Sequence, residues 1–292
     1  MALAPTFPLD ELAAPQTRAS DSLPRFELNG IPIDRMTLNE ATAAVIAQLK
    51  TRGQSADPLL IMGPNAQLIT LAARNPQFAQ ALRAAGLSVP DGISVVLASR
   101  WLGQPVPERV TGGDLMERLC LESARHGLSV FFLGGLPGAA EQTARRFEQR
   151  DAGFRTAGVC CPPVGFERDP AAQERIRQQI REAQPDLLCV AFGAPKQEIW
   201  MLENVPSLPV GAAISVGAAL DTQAGLRKRA PKWTHRIGLE WLYRLVREPR
   251  RLWRRYLIGN THFLLLVGRE WWRLRGRGAA KEHATFGITP TK

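Results

Sequence analysis

The chain of 292 residues holds only four cysteines, Cys120, Cys160, Cys161 and Cys189, and none stands in a Cys-x-x-Cys spacing. That pattern argues against a disulfide scaffold or a zinc framework and reads as lone buried thiols in a reducing compartment. The four histidines (His126, His235, His262, His283) show no metal-ligand spacing. Long apolar runs are missing too. The nearest, Tyr256 to Gly268, is 13 residues long and is broken by Asn260 and His262. It is too short to cross a bilayer core of about 30 Å. No Gly-x-x-x-x-Gly-Lys-[Ser/Thr] occurs, which argues against a P-loop nucleotide hydrolase. Gly134 to Gly138 gives Gly-Gly-x-x-Gly, a poor dinucleotide fingerprint, which argues against an oxidoreductase. An Asp-x-Asp pair to grip a metal–diphosphate is likewise missing. The N-terminal stretch lacks a basic start and carries Asp10 and Glu11, so it is not expected to be a secretory signal.

What is present is charge, unevenly placed. Lys plus Arg number 37 against 27 Asp plus Glu, a formal net charge of +10. Residues 227–277 hold 15 basic and three acidic residues, a local +12, which leaves −3 for residues 1–226. Five of the seven tryptophans (Trp233, Trp241, Trp253, Trp271, Trp272) share that basic stretch. A uniformly basic nucleic-acid coat is thereby excluded, and an anionic partner for one segment is implied. Leu239, Leu242, Leu245, Leu252, Trp253, Tyr256 and Leu257 supply an apolar stripe. Arg244, Arg251 and Arg254 fall at i, i+7 and i+10 on one approximate helical face. An Arg-rich amphipathic helix with Trp suits an anionic membrane surface. The competing reading is a nucleic-acid-binding module whose Arg/Trp tail tracks phosphates.

Composition and periodicity divide the chain into four parts. Residues 1–24 read as a flexible leader and 278–292 as a flexible tail. Residues 25–226 read as one α/β domain, and 227–277 as a basic helical appendage. Phe26 to Ile33 reads as a strand or hairpin about Asn29-Gly30, and Thr37 with Glu40 as a capping box. Apolar runs at 59–62, 129–133, 154–159, 187–192 and 212–216 alternate with helical patterns. That alternation predicts a Rossmann-like, mostly parallel sheet with helices on both faces.

In open α/β sheets, ligands bind beyond the carboxyl ends of the strands. Four loops here are expected at such ends: Gly63-Pro64-Asn65, Gly134 to Gly138, Gly193 to Glu198 and Gly217 to Asp221. Singly, each reads as a tight strand–helix turn. Together they favour a nucleotide-type ligand held by close backbone approach and helix N-termini. Pro90-Asp91-Gly92 precedes a helix near Ile93, and its spacing reads first as an N-cap. The functional alternative is a general base, which needs a carboxylate on a rigid exposed loop. In the run Glu108 to Asp114, Thr111 or Asp114 can cap the next helix, while Arg109 is placed to reach an anion.

Seven motifs in order resemble the WecG/TagA/CpsF family of bacterial glycosyltransferases, over roughly Phe26 to Arg269. They are Gly30-Ile31-Pro32-Ile33-Asp34; Pro90-Asp91-Gly92; Glu108-Arg109-Val110-Thr111-Gly112-x-Asp114; Gly193-x-Pro195-Lys196-Gln197-Glu198-x-Trp200; Gly217-Ala218-x-x-Asp221-x-x-x-Gly225; Arg229-Ala230-Pro231-x-Trp233; and Gly238-Leu239-Glu240-Trp241-Leu242-x-Arg244. The resemblance implies inverting, metal-independent transfer of a hexose-type sugar from a UDP-sugar donor. The acceptor it implies is a polyprenyl-diphosphate-linked saccharide at the inner face of the cytoplasmic membrane, in exopolysaccharide or cell-surface polysaccharide biosynthesis. N-acetylmannosamine, its uronic acid and glucose are the sugars it brings forward. No cofactor is expected, and no nucleic acid partner. By resemblance Asp91 is the general base. Asn65, Arg109, Gln197 and Asp221 match pocket positions, and Arg244, Arg251 and Arg254 match an appendage that engages the diphosphate. One departure stands out: the family commonly has Thr two residues before the Asn, where this chain has Gly63.

Overall fold

A computed structural model of the chain describes residues 24–51, 57–228 and 259–275. Arg244, Arg251, Arg254, the leader up to residue 23 and the tail 278–292 lie outside the described residues. The chain opens on a hairpin of β1 (Arg25–Leu28) and β2 (Ile31–Asp34), paired antiparallel. Asn29 and Gly30 supply its turn with φ 53° and 71°, the two positive values a type I′ turn demands. Asp34 is 1% exposed and receives Arg25 through both carboxylate oxygens, at 2.6 and 2.7 Å. It also accepts the Ser88 backbone N–H at 2.7 Å, which fastens the hairpin to the first edge of the main sheet.

Helix α1 (Leu38–Lys50) follows, closed at its start by the reciprocal capping box of Thr37 and Glu40. The main sheet then assembles from β3 (Leu59–Met62), β4 (Leu87–Ser88), β5 (Ser129–Gly134), β6 (Arg155–Cys160), β7 (Leu187–Ala191) and β8 (Ala212–Ser215). Its strands are all parallel, in the order β4-β3-β8-β7-β5-β6. Helices α2 (Ala66–Ala72), α3 (Pro76–Arg83), α4 (Ile93–Trp101), α5 (Gly112–His126), α6 (Ala139–Arg150), α7 (Pro170–Ala183), α8 (Lys196–Asn204) and α9 (Ala219–Gln223) connect them. The expected doubly covered parallel sheet is therefore present.

Strand residues alternate between two separate cores. Leu59, Ile61, Val130, Phe132, Leu187, Cys189, Ala212 and Ile214 face one cluster, with α1, α5 and α6. Leu60, Met62, Phe131, Leu133, Leu188, Val190 and Ala213 face the other, with α3, α7 and α8. A period of two with apolar residues on both faces is what a buried parallel strand requires. A third cluster lies outside the sheet. There a C-terminal helix over residues 259–275 sets Phe263 and Val267 against Val95, Val96 and Ala98 of α4, Ile69 of α2 and Phe26 of β1.

The strand order places a reversal at the centre of the sheet. From β3 the chain moves outward to β4; from β5 it moves outward to β6; β7 and β8 then fill the gap between. Loops leaving strands on either side of such a reversal part company and open a crevice.

Removing the Asp34 carboxylate strands Arg25 and orphans the Ser88 N–H. Asp34→Ala should lower unfolding free energy by about 3 kcal/mol, read by urea denaturation.

Candidate active site

A cleft of about 450 Å³ occupies that reversal. Loops after β3, β4, β7 and β8 and the start of α5 wall it, with Asn65, Asp91, Gly112, Gln197, Glu198 and Arg227 among its lining residues. Three of the four glycine loops read from the sequence contribute directly. The loop after β5 stands behind them: the Leu136 N–H donates to Asp221 Oδ1 at 2.7 Å.

Asp91 is set by its neighbours rather than by a helix cap. The N-cap of α4 is Gly92, at φ 110°, so the N-cap reading of Asp91 does not hold. Pro90 O accepts the Val110 N–H at 3.1 Å and Met62 O accepts the Val89 N–H at 2.8 Å, which clamps the loop from both sides. Gly63 belongs to the same arrangement. A Cβ at that position would stand 3.2 Å from Asp91 Cβ and 3.6 Å from its Oδ2. The glycine thus lets the carboxylate lie against bare backbone and leaves the cleft wider beside it.

Asn65 is the N-cap of α2, its Oδ1 taking the N–H groups of Gln67 and Leu68 at 3.1 Å each. Its carbonyl is thereby occupied, and its amide nitrogen is the group left to a ligand. Thr111 caps α5 in the same way, accepting the Asp114 N–H at 3.0 Å. Gly112 and Gly113 form the first turn of that helix, and a Cβ on Gly112 would stand 3.0 Å from Ser215 O. The start of a 15-residue helix, with its unpaired N–H groups and positive dipole end, therefore abuts the cleft. Arg227 adds a cation to the cleft lining, 3.2 Å from Asp221.

Gln197 is 5% exposed and ties two loops together. Its Oε1 accepts from Gly193 N at 3.2 Å and Gly217 N at 3.1 Å, bridging the ends of β7 and β8. Its Nε2 donates to Glu198 Oε1 at 2.7 Å. Glu198 itself is fully buried on the cleft wall, and no hydrogen bond of good geometry reaches its Oε2. Burial pushes its carboxyl up to about 6, against the smaller downward pulls of the Gln197 amide, its own N–H and the nearby Ser215 hydroxyl.

Two residues expected at the ligand do not line the cleft. Asp221 is 6% exposed and spends its carboxylate on Leu136 N–H and Arg227, joining α9 to the loop after β5. Arg109 is half-buried on the loop between α4 and α5, outside the cleft lining. Glu198 is the residue that reading from sequence passed over. A signal was available: Glu198, Met201, Leu202 and Val205 share one helical face, so the carboxylate sits on an otherwise apolar, buried stripe.

A parallel, doubly covered sheet with a polar cleft at its carboxyl end, lined by a carboxylate on a clamped loop and by helix N-termini, is suited to an anionic ligand. The comparisons fix the class. The model of the glycosyl transferase WecG/TagA/CpsF family matches residues 26–277, and the chain belongs to that family. It is similar to an N-acetylglucosaminyldiphosphoundecaprenol N-acetyl-beta-D-mannosaminyltransferase of Bacillus spizizenii, 31% identical over 225 residues, which are 77% of this chain and 82% of the relative.

An ionised Glu198 costs stability, because its folded pKa lies above the ordinary 4.5. That cost is present above pH 6 and absent below 4.5, where the carboxyl is protonated folded and unfolded alike. Glu198→Gln should therefore stabilise the chain by about 2 kcal/mol at pH 7.5, a gain that fades to nothing by pH 4.5 in paired denaturation curves.

Proposed function

We propose that this chain transfers a hexose-type sugar from a UDP-sugar to a polyprenyl-diphosphate-linked saccharide at an anionic membrane surface, in cell-surface polysaccharide synthesis. The observation that carries the reading is Asp91, clamped on the wall of the same cleft that abuts the start of α5. N-acetylmannosamine is the favoured sugar among the three brought forward, since the Bacillus relative is by name an N-acetylmannosaminyltransferase.

In this reading the acceptor hydroxyl loses its proton to Asp91 as its oxygen attacks the anomeric carbon from the face opposite the leaving group. The new C–O bond forms as the bond to the β-phosphate breaks, UDP departs with the electron pair, and the sugar inverts. Such a displacement needs one base and a means of stabilising the departing diphosphate. The N–H groups at Gly112 and Gly113 and the Arg227 guanidinium supply that means without a metal. The sequence has no Asp-x-Asp pair to grip a metal–diphosphate, and this reading gives that service to backbone and guanidinium N–H groups.

The appendage of residues 227–277 serves the lipid side. Arg227 lines the cleft at its beginning, and Thr70 of α2 donates to Gly259 O at 3.4 Å near the start of the C-terminal helix. One described end of the segment carrying Arg244, Arg251 and Arg254 thus lines the cleft and the other touches α2, the helix that Asn65 caps, which supports their service to the diphosphate. The C-terminal helix exposes Leu264, Leu265 and Trp272, and α4 exposes Leu97 and Trp101 next to it. Trp101 and Trp271 bring their rings within 6.3 Å, with Arg275 3.9 Å over Trp271, so the two helices share one apolar, basic surface. Asp91 immediately precedes α4, so a lipid surface met there would lie close to the base. No helix among the described residues is long and apolar enough to cross a membrane. Docking rather than spanning fits this geometry.

Two measurements test the reading. Asp91→Asn should fold normally and lose about 10²- to 10⁴-fold in transfer from UDP-N-acetylmannosamine to a polyprenyl-diphosphate-linked N-acetylglucosamine; undiminished transfer would remove Asp91 as the base. Leu265→Glu combined with Trp272→Glu should reduce flotation with phosphatidylglycerol vesicles by about tenfold or more while UDP binding in solution is kept.

A further inference from the structure

Glu198 is a buried carboxylate that the transfer step above does not use. One oxygen is committed to the Gln197 amide at 2.7 Å, and Gln197 is itself fixed by the backbone N–H groups of Gly193 and Gly217. The other oxygen, Oε2, is buried on the cleft wall; the Ser215 hydroxyl lies near the carboxylate, but no hydrogen bond of good geometry reaches Oε2 among the described residues. An unpaired buried acceptor is costly, and a charged one more so. A glutamine at this position would satisfy Gln197 equally well through its own carbonyl oxygen. The carboxylate is therefore more than the fold requires.

The charge of that carboxylate limits what it can meet. It repels a diphosphate, so the phosphates belong by Gly112, Gly113 and Arg227 and not here. It attracts an O–H or N–H. Asp91 follows β4 and Glu198 follows β7, strands three places apart and so roughly 14 Å from axis to axis at about 4.8 Å per strand. Reaching the cleft from separate loops, the two carboxylates are suited to separate parts of one ligand. We propose that Glu198 is a ligand-binding residue whose Oε2 accepts a hydrogen bond from a neutral O–H or N–H of the bound nucleotide sugar, away from its diphosphate. Its Oε1 holds Gln197 in register for the same ligand. The raised carboxyl agrees with this, since a hydrogen-bond donor brought to it stabilises the ionised form.

The inference rests on the transferase reading, and titration calorimetry of the full chain with UDP and with UDP-N-acetylmannosamine separates the two. Wild-type chain that binds neither compound overturns the transferase reading and this proposal with it. Given wild-type binding, Glu198→Gln should weaken UDP-N-acetylmannosamine by about 10- to 100-fold, the range for a hydrogen bond to a charged group. In turnover the loss should appear as a raised KM with kcat within about threefold. Weakening of the nucleotide sugar alone places the contact on the sugar; equal weakening of UDP places it on the nucleoside; either supports the proposal. Unchanged affinity for both compounds overturns it. Glu198→Ala, measured beside it for affinity and unfolding, guards against a purely architectural role. If the binding loss of both variants follows their loss of stability, Glu198 serves the fold alone and the proposal fails.

Discussion

A parallel sheet buried on both faces has no room for polar chemistry within its strands. Leu59 to Met62 and Leu187 to Ala191 are buried without exception, each strand divided between two cores. Every polar group that works must sit where the strands end, and those ends must be held without a further sheet to hold them. The Gln197 amide supplies much of that restraint. By accepting from the loops after β7 and β8 together, it converts two independent turns into one wall of the cleft. The Pro90–Val110 and Met62–Val89 bonds do the same on the β3–β4 side. The cleft is rigid because backbone groups that no strand ladder satisfies are satisfied across loops.

Electrostatics then distributes roles within that wall. Two carboxylates line one cavity, yet their surroundings differ. Asp91 is partly exposed on a loop, beside a glycine that gives it room. Glu198 is enclosed, and burial holds its proton more tightly. The cleft also takes in the N-terminus of α5 and Arg227, the features that attract an anion. A ligand that joins neutral groups to a diphosphate suits a cleft with both kinds of feature, since its phosphates and its hydroxyls then have different partners.

Much of this was legible in the chain before folding. Asn29-Gly30 and the Thr37–Glu40 box each specify their local geometry through backbone φ or a cap, and each appears as read. The strands were visible because burial on both faces leaves unbroken apolar runs. The site was legible only in part. Asp91 and Gln197 were reachable through motif resemblance, and both line the cleft. Asp221 sits in an equally recognisable motif, yet it binds Leu136 and Arg227. Motif membership does not separate a residue that touches ligand from one that shapes the loop touching it. Glu198 was passed over for the converse reason. It stands in the same motif as Gln197 but was given no role there, and a glutamate on an apolar helical face gains weight once that face is seen to be buried.

The charge contrast of the sequence acquires a spatial meaning through the C-terminal helix. That helix does not stand apart from the acidic body; Phe263 and Val267 enter a core built from α2, α4 and β1. A helix so anchored has already satisfied its apolar face, and a merely solvated exterior would be polar. Instead Leu264, Leu265 and Trp272 remain outward, beside Leu97 and Trp101 of α4. Apolar exposure on two adjoining helices, rimmed by Arg269, Arg273 and Arg275, is disfavoured in water and favoured at an anionic interface. Because α4 follows the loop of Asp91, the surface it shares with the C-terminal helix is tied through one helix to a wall of the cleft.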